Sequence, residues 1–202
     1  MRLWIVAVLA AALSLGAVSS VRADGDDDDG KADVKVARLA DGKCGKLADS
    51  LPVLISRAGA RPGEVVGDVT VCVANSGGTA RLNLRVLELV DVDPACTGAE
   101  PTRDTTCGGS ERGELSPSLL QQAGLGTCPS VPPATDPALD RRLPALQASS
   151  LVLVERMRRG QVVCVRLRLR YEPPGPDAGV ASQTDRTTWR YVFTVEPKEM
   201  ER

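Results

Sequence analysis

Six cysteines carry the clearest chemistry in this chain: Cys44, Cys72, Cys96, Cys107, Cys128 and Cys164. A thiol can act as a nucleophile, ligate a metal or form a disulfide. A catalytic thiol needs an activating base beside it, and the chain contains no histidine. Arginine stays protonated and cannot serve. Thiolate metal sites announce themselves by CxxC spacing or by histidine partners, whereas successive cysteines here stand 28, 24, 11, 21 and 36 residues apart. No metal is therefore expected, and disulfides are the simplest use. Six cysteines allow fifteen pairings. Cys72 and Cys164 hold matching places, each in mid-strand on the face opposite the valines, and are expected to pair. Cys96 and Cys107 are near neighbours, and Cys44–Cys128 follows by elimination.

Charged residues form a second set. Arg166, Arg168 and Arg170 alternate with Val165, Leu167 and Leu169, so they line one face of a strand. An acidic run, Asp26, Asp27, Asp28 and Asp29, sits in DGDDDDGK. The arginines read either as an ordinary solvated sheet face or as a docking strip. A docking strip would take an anionic cell-wall polymer, a protein, or the acidic run of another copy. The acidic run does not make a calcium loop: with Gly30 at the sixth position, Gly25 falls at the first and Val36 at the twelfth. No HExxH zinc motif occurs, and a serine hydrolase would lack its base. We expect no catalytic residues, no cofactor and no enzyme activity. Charge is balanced, 25 basic against 26 acidic residues, and aromatics are nearly absent. Neither feature favours nucleic acid.

The elements that hold these residues begin with a leader. One arginine precedes an apolar run from Leu3 to Leu15, and Val21-Arg22-Ala23 fits a small-x-small cleavage rule. The run is shorter than the roughly 18–20 residues of a spanning helix. Residues 1–23 therefore read as a signal peptide cut near Ala23, and the product as secreted, with no stable membrane insertion afterwards. The cut leaves 179 of the 202 residues and takes the formal charge from −1 to −3. Export in turn supports disulfides, which persist in oxidising compartments.

Residues 24–32 form an acidic leader with nothing apolar to bury. From residue 33 to 197 strand alternation dominates, and 198–202 is a short tail. Val69, Val71 and Val73 share a face. Asn75-Ser76-Gly77-Gly78 can reverse the chain into a hairpin, and Leu82, Leu84 and Val86 continue the apolar face. The phase slips at Val86-Leu87, which predicts a bulge. Residues 91–146 break the pattern and read as a long insertion stapled by disulfides. Within it, Ser116-Pro117 predicts the start of a helix ending at Gly124. Val163 to Leu169 and Trp189 to Val195 give the closing strands. Seven or so strands with turn signals between them predict an all-β fold, an antiparallel β-sandwich of jelly-roll or immunoglobulin-like type.

Several of these pieces resemble the TasA/camelysin family, exported bacterial proteins with a jelly-roll-like sandwich. They are Pro62-Gly63, Val71-x-Val73-x-Asn75-Ser76-Gly77, Arg159-Gly160-Gln161 before a strand ending in Tyr171, and the strand around Trp189–Val195. The resemblance implies a structural protein of an extracellular or biofilm matrix, self-associating by adding an N-terminal strand to a neighbour's sheet. The alternative is an exported binding module for an anionic wall polymer or a protein, using the 91–146 insertion. The camelysin branch implies a metalloendopeptidase, which the lack of histidine disfavours. The cysteines, the insertion and the acidic leader depart from the family pattern.

Overall fold

The computed structural model describes residues 16–24, 34–57, 61–93, 109–110, 115–175 and 185–197. The strands, in chain order, are β1 (Gly16–Asp24), β2 (Val34–Ala40), β3 (Lys43–Cys44), β4 (Ser50–Arg57), β5 (Val65–Asn75) and β6 (Ala80–Asp93). They continue as β7 (Gly109–Ser110), β8 (Leu119–Thr127), β9 (Arg141–Arg142), β10 (Leu151–Met157), β11 (Val162–Tyr171) and β12 (Arg186–Pro197). A single α-helix turn, α1 (Leu143–Ala148), precedes β10. Two sheets result. One runs β10-β6-β12-β1-β4 with β7 on β6, and the other β3-β2-β5-β11-β8-β9. All their pairings are antiparallel except β1 with β12.

The expected alternation builds the core. Val71, Val73, Val165, Leu167 and Leu169 from one sheet, and Leu82, Leu84, Val86, Tyr191 and Phe193 from the other, are fully buried. Trp189 and Tyr191 meet edge to face at 5.9 Å. A polar tie crosses this apolar layer: the Tyr191 hydroxyl donates to Gln121 Oε1 on β8. Gln121 in turn donates to the backbone oxygens of Gln122 at 2.6 Å and Arg168 at 3.3 Å. Burial holds the Tyr191 hydroxyl far above its ordinary range, so it stays a donor.

The bulge predicted near Val86-Leu87 lies close by, where β6 carries an extra residue between Leu87 and Val90 and Glu88 takes a φ of 52°. Two other local expectations fail. Asn75–Gly78 does not make a hairpin, because β5 and β6 belong to different sheets. The turn carries the chain across the sandwich, and the Arg159-Gly160 turn carries it back from β10 to β11. Asn75 fastens both crossings. Its side chain donates to Gly78 O at 2.7 Å and Met157 O at 3.1 Å, and its backbone oxygen accepts from Gly160 at 2.6 Å.

The helix expected from Ser116 to Gly124 is also absent. Ser116–Ser118 forms one 3-10 turn, and Leu119–Thr127 is a strand. Helix-forming residues lose here to nine backbone pairings with β11. The 91–146 segment thus supplies an interior strand of the second sheet as well as a crossing loop.

Candidate functional site

Mid-strand positions of β5 and β11 place Cys72 directly opposite Cys164, with Ala37 of β2 beyond Cys72 and Gly126 of β8 beyond Cys164. Ala37, Cys72 and Cys164 pack together on the side away from the valine core. Asn75 donates its N–H to Gln161 O across the same ladder. Hydrogen-bonded pairs recur at every second residue, so Cys72 and Cys164 fall on a non-hydrogen-bonded pair, where side chains stand closest. Their Sγ atoms are 4.0 Å apart, and both residues are completely buried.

Two further cysteines reach this pair from either side. Cys44 arrives on the short β3, which folds back on β2 through Asp41 and Gly42, both with positive φ. Cys128 follows the last residue of β8. The bonds that form are Cys44–Cys72, with Cα atoms 5.9 Å apart, and Cys128–Cys164, at 5.1 Å. This corrects the expected Cys72–Cys164 and Cys44–Cys128 pairs. The equivalence of Cys72 and Cys164 is real, but each is bonded to a cysteine that a neighbouring turn brings over it. Loops of 28 and 36 residues are closed, each contributing about 3.5–4 kcal/mol on the chain-entropy model. Cys96 and Cys107 lie outside the described residues.

All four sulfurs of this cluster lie within 4.8 Å of one another. Wide sequence spacing concealed the grouping, because a sheet register of 92 residues' separation brings the central two together.

The arginines share the outer face with Cys164, in the next rows of β11. Arg166 makes a two-pronged bond with Asp68, at 2.7 and 2.6 Å, which raises its pKa further. Arg170 pairs with Glu172 at 2.9 Å. Arg168 stands in register between Asp68 and Gln122. Two of the three charges are therefore met within the chain. Asp26, Asp27, Asp28 and Asp29 lie outside the described residues. A strap after β8 covers part of it, with Pro132 over Gly126 and Pro133 over Gly124. Gln122 ties the strap down by donating to Asp140 at 3.1 Å.

One polar site escaped sequence reading. Asp91, at the far end of β6, accepts from Ser116 N at 3.2 Å and Ser116 Oγ at 2.5 Å. Burial raises its pKa, and the bonds to Ser116 and Thr187 oppose the shift. Its signal in sequence was only a Ser-Pro step, which also starts helices.

The fold and these bonds define a class: a two-sheet, all-β protein stapled by disulfides, as an oxidising environment allows. Among the described residues no helix is long and apolar enough to cross a membrane. Comparison with family models, curated proteins and solved structures gives no match.

Proposed function

We propose that the chain is a secreted, non-enzymatic structural protein of the extracellular-matrix type, similar in kind to the TasA/camelysin proteins, that self-associates by strand addition. One observation carries this reading. Strand β1, Gly16–Asp24, lies between β12 and β4, pairing in parallel with the first and antiparallel with the second. Eight of its nine residues precede the expected cut after Ala23. Cleavage there would empty a strand-wide slot flanked by two sets of unpaired backbone groups. Such edges recruit an incoming strand from another chain. The free N-terminal segment of a second copy is the occupant at hand.

The test compares the chain beginning at Asp24 with the full chain by sedimentation velocity and electron microscopy. Concentration-dependent oligomers or fibres of the shorter chain, alongside a monomeric full chain, support the reading. A shorter chain that stays folded and monodisperse at every concentration overturns it.

A further inference from the structure

The four-cysteine cluster has a geometry that its disulfides alone do not require. Cys72 and Cys164 are fixed by the register of two central strands, while Cys44 and Cys128 approach from short segments on opposite sides. All four Sγ atoms lie within 4.8 Å, and the central pair are 4.0 Å apart. A tetrahedral tetrathiolate site has metal–sulfur bonds of about 2.3 Å, hence sulfur–sulfur edges of roughly 3.8 Å. The central edge already stands near that value. Rotating the two outer side chains opens the bonded pairs and closes the longer edges.

We propose that, once both disulfides are reduced, Cys44, Cys72, Cys128 and Cys164 together hold one thiophilic tetrahedral cation of the zinc(II) class. A phosphine can supply the electrons. For each disulfide one phosphine gives two electrons, takes the oxygen of a water molecule and leaves as phosphine oxide. The two protons of that water end on the sulfurs. Zinc(II) then displaces four thiol protons, giving a tetrathiolate of net charge −2. Lys43 and Lys46 lie one and two residues from Cys44 in the chain. Sulfur ligands select against calcium and magnesium, which take oxygen. The cluster thus has two exclusive states, two covalent bonds or one bound metal.

The experiment uses the full chain carrying Cys96→Ser and Cys107→Ser, so that only the four clustered thiols appear on reduction with a phosphine. The reduced protein is titrated with cobalt(II) and then zinc(II). The expected result is one cobalt per chain, with thiolate charge-transfer bands and the strong visible bands of a tetrahedral site, displaced by zinc. Adding Cys44→Ser or Cys128→Ser should weaken binding more than about 100-fold, beyond the cost of losing an outer hydrogen-bond partner. Should the reduced chain lose its far-ultraviolet strand signal, zinc must restore it, and failure to do so overturns the proposal. Equal cobalt affinity in the serine variants overturns it too. So does re-closure to disulfides, seen by mass, in the presence of excess zinc.

Discussion

Asn75 ties two distant turns of the chain together. It is completely buried, and its side chain spans the two points where the chain changes sheets. Asn75→Ala would leave Met157 O buried without that donor and free the turn at Gly78. We expect a loss of about 2–3 kcal/mol, read as a lower denaturant midpoint. A change below about 0.5 kcal/mol would show that both crossings hold without it. Asp91 makes the opposite case. Burial raises its pKa above 3.8, so the folded state resists its ionisation. The sign follows: that cost is absent below the unfolded pKa and grows as pH rises through the folded value. The stability of Asp91→Asn relative to the parent should therefore rise from acid toward neutral pH. A flat difference in melting temperature would show that the bonds to Ser116 offset the burial. At this scale the sequence was legible wherever a residue's face decided its place, as with Val71, Leu84 and Phe193. It was silent where partners came from distant strands, as with Tyr191 and Gln121.

Among the elements, β8 was the hardest to read. Leu119-Leu120-Gln121-Gln122-Ala123-Gly124 has helical composition, and only its place beside β11 makes it a strand. Gly124 and Gly126 then have a physical reason. A Cβ on Gly124 would sit 2.2 Å from Pro133 O, a backbone atom that cannot move without lifting the strap. Gly124→Ala should cost about 1–3 kcal/mol as overpacking and raise amide exchange across residues 128–140. Unchanged exchange there, in a folded variant, would count against the strap lying on β8. Turn chemistry was legible as turns at Asn75–Gly78 and Arg159–Gly160. It did not reveal that both cross between sheets, because a short glycine turn reads the same whether it joins two paired strands or two layers.

At the level of the whole molecule, class and disulfide stapling were readable from alternation and cysteine count, while sheet order and cysteine pairing were not. Both depend on which distant strands become neighbours. The arginine face shows how this matters for association. With Arg166 on Asp68 and Arg170 on Glu172, little net charge is left to attract an acidic segment. Association of the chain beginning at Asp24 should rest on backbone pairing and change little between low and high salt. Steep weakening as salt rises would return the arginines to the interface. Strand β1 also fixes an order of events. In the folded chain Ala23 and Asp24 close the ladder with β12, in register with Phe193 and Thr194, while the residues before them pair on both sides. A peptidase must take its substrate as a free extended segment, and it reaches a paired one only when the strand opens. Under the proposed cleavage, cutting and docking therefore compete for the same stretch of backbone. A chain processed after Ala23 is processed before β1 closes into the sheet, and a chain that folds first shields its own scissile bond.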